Sequence, residues 1–388
     1  MTTAETHDAR ARARNCRVCR EELDPEPLLR YENMPGAAQH LPDARSLESD
    51  TGIELRVFQC PACGLIQLDN DPVPYHRDVI RAAAFSEGMQ AFRLEQFREF
   101  IERHSLQRKK ILEVGCGGGE YLAILQQLEV QAHGVENAPR SAAQCLEHGL
   151  QVTTGFVDGP AYDVPGSPFD AFFLLSFLEH IPNPVGTLKG VCHNIGHNAV
   201  GLVEVPNFDM VLQRNLFSEF TRDHLLYFTR QTLCTTLRLS GFDVLESDTV
   251  WFDYIISATV RRRPATDLSR FRGSQSKLVE EINCYVDQFP PKKVAIWGAG
   301  HQALAIIAMA DLSHRIRYVV DSATFKQGRY TPATHLPIVS PESLAADPVD
   351  AIIVMAASYS DEVAQIIRDR HGATLQVAIL RDFGLESA

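Results

Sequence analysis

No apolar run in this chain is long enough to cross a bilayer. The first fifteen residues carry charges of both signs, with no apolar stretch ahead of a small-residue cleavage site. Those absences argue against membrane insertion, a membrane partner and a secretory leader, so the expected address is the cytoplasm. A surplus of positive charge is also missing. Lys and Arg number 37 against 49 Asp and Glu, a formal net charge of -12. That balance opposes broad attraction to nucleic acid phosphates but leaves room for one local basic pocket around a small anion. What is present is an ordinary globular composition, 45% hydrophobic and 22% charged, over 388 residues. That length suggests two or three domains, each with its own core.

Nine cysteines suggest disulfides until their spacing is read. Four of them form two Cys-x-x-Cys pairs, Cys16 with Cys19 and Cys60 with Cys63. Each pair brings two thiolates within reach of one ion, and two pairs supply the four soft ligands that tetrahedral zinc prefers, so a closed structural zinc site is expected. Arg17-Val18 and Pro61-Ala62 fill the two knuckles and Gly64 follows the second, while His40 between them reads as a surface residue. The other five cysteines, Cys116, Cys145, Cys192, Cys234 and Cys284, sit in apolar or helical contexts and read as small hydrophobes.

The most informative segment is residues 111–119, an apolar strand that runs into alternating glycines at Gly115, Gly117 and Gly119. These positions can take backbone angles barred to other residues and leave no Cβ between chain and ligand. About twenty residues on, Glu136 closes a second strand, where a carboxylate can accept both hydroxyls of a ribose. The glycine spacing, with Glu113 ahead of it, resembles motif I of class I S-adenosylmethionine (SAM) methyltransferases. That resemblance implies a methionine part on the glycines, a ribose on Glu136 and an adenine against Phe156 and Val157. It also draws Glu113, Cys116, Asn137 and Ser176 into the cofactor site.

Around this motif the pattern alternates. A helix is expected over 85–101, strands at 110–114, near 136 and near 151–153, and an apolar strand at 169–175. A helix over 185–194 and a strand at 200–205 follow, with an antiparallel pair at 242–246 and 251–260. The fold class is therefore α/β: a small N-terminal zinc module (1–72), a doubly wound class I methyltransferase domain (73–263) and a second Rossmann-like domain (264–388) after the Arg261-Arg262-Arg263-Pro264 linker. In the last domain, Gly298, Gly300 and Ala303 with Asp321 also match a dinucleotide fingerprint, which keeps an NAD-dependent oxidoreductase in view as a rival, as does a non-catalytic zinc scaffold.

In this order the parts resemble the three-domain, zinc-containing nucleotide-sugar C-methyltransferases of deoxysugar biosynthesis. The likeness rests on the knuckles, on Leu112-Glu113-Val114-Gly115, Leu178-Glu179-His180-Ile181-Pro182 and Val203-Glu204-Val205-Pro206, and on Asp223-His224-Leu225. It implies SAM-dependent methylation of a sugar carbon beside a ketone, as in antibiotic biosynthesis. His224 would be the base that removes the α proton, Asp223 its neighbouring carboxylate, and His180 would stand near the sulfonium or substrate. Thr221 and Arg222 depart from the tyrosine and histidine usual there, and residues 81–85 lack the usual tyrosines and serines. Those departures keep O- or N-methylation of another polar metabolite as the alternative. For a small, anionic substrate, Arg222, Lys326 and Arg329 are the candidate contacts, with Lys292 and Lys293 behind them.

Overall fold

The computed structural model describes residues 15–39, 41–78, 86–382 and 384–387. His40 and residues 81–85, singled out above, lie outside them. The chain divides into two compact units, Met1–Pro264 and Ala265–Ala388.

The first unit opens with a small antiparallel sheet of β1 (Leu29–Met34), β2 (Ile53–Gln59) and β3 (Ile66–Leu68). The sequence reading did not include this sheet, whose third strand is only three residues long. Then comes α1 (Glu87–Arg103), where the Ser86 side chain accepts from the Met89 amide and Glu87 sits in the first turn. Both features favour a helix start.

A parallel sheet follows, made of β4 (Lys110–Val114), β5 (Gln131–Glu136), β6 (Val152–Thr154), β7 (Phe169–Leu175) and β8 (Ile195–Pro206). Helices α2 (Glu120–Gln126), α3 (Pro139–Glu147) and α4 (Pro184–Asn194) link the strands, and α5 (Phe208–Gln213) follows β8. Six of the seven residues of β7 are buried, as a central strand covered on both faces requires. A two-residue strand, β9 (Leu226–Tyr227), pairs back with β3, so the knuckle sheet and the large sheet share this unit.

After α6 (Arg230–Leu239) come β10 (Phe242–Val250) and β11 (Ile255–Arg262), the second antiparallel to β8. The spatial order is β10-β11-β8-β7-β4-β5-β6. The expected antiparallel pair is present, but Trp251 belongs to its turn. Trp251, Phe252 and Asp253 all have positive φ (49, 58 and 65°). The turn is held by Asn207, whose amide groups bond the carbonyls of Asp253 and Tyr254. The order reverses at β4, with β5 on one side and β7 on the other. The crevice beyond the carboxyl ends of those strands is where a ligand belongs in such a sheet.

The second unit begins with α7 (Ser269–Val286), absent from the sequence reading. Its six-stranded sheet has the order β14-β13-β12-β15-β16-β17. The strands are β12 (Val294–Trp297), β13 (Ile316–Val320), β14 (Ile338–Val339), β15 (Ala351–Val354), β16 (Gln376–Arg381) and β17 (Gly384–Ser387), of which only β17 runs antiparallel to its neighbour. Helices α8 (His301–Met309), α9 (Ser343–Ala346) and α10 (Ser360–His371) complete it. Apolar cores cover both faces of this sheet.

Candidate active site

Beyond β4 and β7 lies a cavity of about 410 Å³. Gly115, Gly117 and Glu136 contribute to one part of its wall, Ser176 and Phe177 follow β7, and Glu179, His180, Asp223 and His224 form another part. Gly115, Gly117 and Gly119 all have positive φ (73, 56 and 86°). At Gly115 an added Cβ would stand 2.5 Å from the Phe177 ring, and at Gly119 one would stand 2.5 Å from Leu150 and 2.9 Å from the Cys145 sulfur. The first glycine thus admits an aromatic ring over the turn, and the third lets α2 close on the core. Glu136 accepts from the Gly117 amide at 2.8 Å and from the Ala138 amide at 2.8 Å, so it shapes the loop as well as facing the cavity. Burial holds its carboxyl above the ordinary value.

The space expected for an adenine is nearly closed. Phe156, Val157, Asn137 and Phe177 surround about 10 Å³ of space, with the Phe156 and Phe177 rings 5.9 Å apart and the Arg77 guanidinium 4.8 Å above Phe156. Admitting a purine requires these rings to part. Asn137 bonds Asp78 at 2.5 Å. Glu113 and Cys116 are almost fully buried, 1% and 0% exposed, and neither lines the cavity. Ser176, with φ of 50°, is held by its amide on the Glu204 carbonyl.

The two histidines meet at the opposite wall, ring centroids 4.7 Å apart and 71° inclined. His180 Nδ1 lies 2.8 Å from the Asp223 carbonyl oxygen, which can only accept, so the proton sits on Nδ1 and Nε2 keeps its lone pair. Burial lowers the pKa of His180. His224 falls to about 3, mainly by burial and then by its neighbour His180. Both rings are neutral at pH 7. The Asp223 carboxylate does not reach the His224 ring by a hydrogen bond among the described residues. It accepts instead from the Tyr75 hydroxyl at 2.7 Å and the Ala38 amide at 2.9 Å. Asp223 therefore orders the loop over the site and, through its backbone carbonyl, the tautomer of His180.

Arg222 is directed elsewhere. Its guanidinium bonds the carbonyls of Asp71, Gly36 and Pro72, and it does not line the cavity. In the second unit Lys326 pairs with Asp321 at 2.9 Å, and Arg329 bonds the Phe325 carbonyl. Lys292 bonds the Ser313 and Ile316 carbonyls, and Lys293 that of Pro348. Asp321 also accepts from the amides of Ala299 and Ala323. Burial raises its pKa, but Lys326 and those amides together hold it below the usual range.

The sequence reading missed Tyr75, Arg93, Glu204, Trp251 and Tyr254. Arg93 on α1 and Glu204 in β8 are 1% and 0% exposed and form an ion pair, with Gln96 bonding the second carboxylate oxygen at 2.5 Å. The available signal was a carboxylate inside the apolar run of β8, which needs a buried cation. Tyr75 follows Pro72 and Pro74, and prolines there gave no chemical hint.

In the knuckles, the four sulfurs lie within 4.8 Å of one another, with Cys16 to Cys63 at 3.6 Å and Cys19 to Cys60 at 3.4 Å. The Val18 amide bonds the Cys16 sulfur and the Cys63 amide that of Cys60. Hydrogen bonding with Cys63 draws the Cys16 thiol down to about 5. Four sulfurs around a tetrahedral ion with bonds of about 2.3 Å stand roughly 3.8 Å apart, so the donor set fits zinc. The first knuckle also reaches the active site: Arg17 bonds the Pro182 carbonyl and Arg20 the Asn183 side chain, two and three residues beyond His180.

Residues 89–247 match the model of a methyltransferase domain, and residues 269–378 that of the C-methyltransferase C-terminal domain. Among relatives, the C-methyltransferase NovU of Streptomyces niveus is 25% identical over 384 residues, covering 90% of each chain. Ubiquinone biosynthesis O-methyltransferases are similar over a shorter stretch. That of Azotobacter vinelandii is 38% identical over 104 residues, 25% of this chain and 44% of the relative. Among solved structures, a SAM-dependent methyltransferase from Clostridium acetobutylicum superposes with a TM-score of 0.38 at 11% identity, covering 44% of this chain and 90% of that one.

Proposed function

We propose that this chain, which belongs to the SAM-dependent C-methyltransferases, transfers the methyl group of SAM to a carbon beside a ketone on a nucleotide-linked deoxysugar. The observation that carries the reading is the shared cavity. A glycine turn with its ribose acid and a pair of neutral histidines contribute to the walls of one space of about 410 Å³. A methyl transfer to carbon needs a positioned sulfonium and a base for the α proton, and both have candidates here.

In this reading the methionine part lies along Gly115, Gly117 and Ser176, the ribose on Glu136, and the adenine between Phe156, Val157 and Asn137 once those rings separate. Glu113, Cys116 and Gly119 act from behind, fixing strand and turn. SAM supplies an electrophilic methyl on sulfur. The chain's own residues orient the acceptor, exclude water and remove a proton. His224 is the base because its ring is neutral at working pH and faces the cavity. His180, held by Asp223, keeps its own lone pair directed at the same space. The four knuckle cysteines would hold a structural zinc, and Arg17 and Arg20 beside them brace the turn that follows His180.

Lys326 and Arg329 remain the candidates for an anionic substrate tail. Asp321 pairs with the first, so a phosphate would have to compete with that carboxylate. Arg222 acts by tying Gly36 to Asp71 and Pro72.

The test is deuterium wash-in. With S-adenosylhomocysteine (SAH) in place of SAM and dTDP-4-keto-6-deoxyglucose as the probe ketone, the enzyme should exchange the α proton, and His224→Ala should not. Methyl transfer to oxygen or nitrogen, with no exchange at carbon, would replace this reading by the O- or N-methyltransferase alternative.

A further inference from the structure

We propose that Glu179 acts as a neutral carboxylic acid, donating a hydrogen bond to the carbonyl oxygen of the acceptor while His224 removes the proton from the carbon next to it. The inference rests on the reading of methylation beside a ketone and assigns that site its electrophile.

Glu179 lines the cavity yet is only 2% exposed. Its Oε2 is buried without a hydrogen-bond partner among the described residues, and Oε1 stands 3.8 Å from His180 Nε2. No described Lys or Arg pairs with it. Arg93, on the same cavity wall, is taken by Glu204. Of the groups that share this wall, His180, His224, Asp223 and Tyr254 are not cations at neutral pH, and the remaining guanidinium, that of Arg77, stands 3.7 Å from Asp158 and over the Phe156 ring. An ionised carboxylate so placed has lost its water and gained no counter-charge, so the proton stays. Burial accordingly pushes its pKa up to about 8. A protonated carboxyl with no internal acceptor is a donor waiting for a ligand oxygen.

The base makes such a donor necessary. An imidazole whose conjugate acid has a pKa of about 3 is always in its accepting form but pulls weakly on a C–H bond. The deficit is met by stabilising the enolate that forms. The Glu179 carboxyl and the ligand nitrogen of His224 lie within 4.8 Å of each other, a spacing that can flank a carbonyl oxygen and the α hydrogen three bonds away. The main chain of Glu179 is fixed, because its carbonyl accepts from the Leu225 amide at 2.9 Å, which ties the turn after β7 to the residue next to His224.

In the step itself, the C–H electron pair moves into a C=C bond and His224 takes the proton, while the carbonyl oxygen gains charge against the Glu179 hydroxyl. The enolate carbon then forms its bond to the methyl as the S–CH3 bond breaks. The carbonyl re-forms, Glu179 keeps its proton, SAH leaves and His224 releases its proton to water.

The same three donor groups, Glu179, His180 and His224, form a rival cation site. Ligand atoms around a divalent ion with bonds of about 2.1 Å stand roughly 3.0–3.4 Å apart, closer than the 3.8 Å between His180 and Glu179, and the donor reading needs no such contraction.

Two measurements on the full-length protein decide. First, infrared difference spectra of the SAH complex at pH 7, wild type minus Glu179→Gln, should contain the C=O stretch of a protonated carboxylic acid. A carboxylate signature instead overturns the proposal without touching the methylation reading. Second, deuterium exchange into dTDP-4-keto-6-deoxyglucose should stay within about tenfold of wild type in Glu179→Gln, which keeps a neutral donor. It should fall about 10²- to 10³-fold in Glu179→Leu, which fills the space without one. Equal loss in both variants overturns the donor role, and loss of tightly bound Mn²⁺ or Zn²⁺ in both assigns Glu179 to a metal instead. Should Glu179→Leu not fold, Glu179→Ala takes its place. If the wild type exchanges nothing while still methylating, the methylation reading fails, and the infrared result stands on its own.

Discussion

Two glycine turns of this molecule share one backbone device and end differently. After β4, the turn at Gly115 sends the Gly117 amide to Glu136 at the end of the next strand. After β12, the turn at Gly298 sends the Ala299 amide to Asp321 in the same way, at the same 2.8 Å. In the first unit the acid faces a cavity, and two neutral histidines share that space. In the second, Lys326 closes on the acid, and a Cβ at Gly298 would meet the Met355 carbonyl at 2.5 Å. The glycine there serves packing. A fingerprint of glycines and an acid thus records how a strand turns into a helix, and what faces the acid decides whether a nucleoside can use it.

The difference is broken most severely at the histidine. His224→Ala should lower methyl transfer about 10²- to 10⁴-fold, the usual range for a lost general base, and leave the affinity for SAH within about twofold. Parallel loss of SAH binding would mean that the ring holds the cofactor. Next comes the metal. Cys60→Ser or exhaustive chelation should lower the Tm of the first unit by about 10 °C or more, since a structural zinc contributes several kcal/mol and each kcal/mol moves Tm by about 2–4 °C at this size. Activity should fall with it, because Arg17 and Arg20 lose their frame. The second unit, read by its own calorimetric transition, should be unaffected.

The two acids give a direct comparison. Glu136→Gln should weaken SAH about 10- to 100-fold, or about 1.4–2.7 kcal/mol, measured by titration calorimetry. Asp321→Asn should leave SAH affinity unchanged, and NAD should bind neither form. Measurable NAD affinity in the wild type would show that Lys326 is displaced by a cofactor.

Much of this was legible in the sequence because it is local. The order Gly115, Gly117, Gly119 and Glu136 carries its own backbone requirement, and two Cys-x-x-Cys pairs carry their ligand geometry. The apolar run of β7 marks a strand covered on both faces. What escaped was the product of distant contacts. Tyr75 meets Asp223 across 148 residues and Arg93 meets Glu204 across 111, and no local pattern encodes either. Arg222 was read as a substrate contact, whereas the carbonyls of Asp71, Gly36 and Pro72 occupy its guanidinium. The state of His224 and Glu179 was equally hidden. A histidine beside an aspartate reads as a charged pair until burial and the direction of the carboxylate are known.

Those two groups also tie stability to pH, with opposite signs. His224 titrates near 3 when folded and near 6.5 when unfolded, so between those values the unfolded chain binds more protons. Its contribution to stability is therefore complete above about pH 6.5 and lost as pH falls toward 3, by at most about 1.4 kcal/mol per pH unit. Glu179 runs the other way. Its folded pKa of about 8 exceeds the unfolded value of 4.5, so its contribution is complete below about pH 4.5 and lost as pH rises through 8. Denaturant midpoints of His224→Gln should hence fall less than wild type between pH 6.5 and 4.5, and those of Glu179→Gln less than wild type between pH 6 and 8.5. A buried ion pair between the two would predict the reverse, because removing either partner would then steepen the loss at neutral pH.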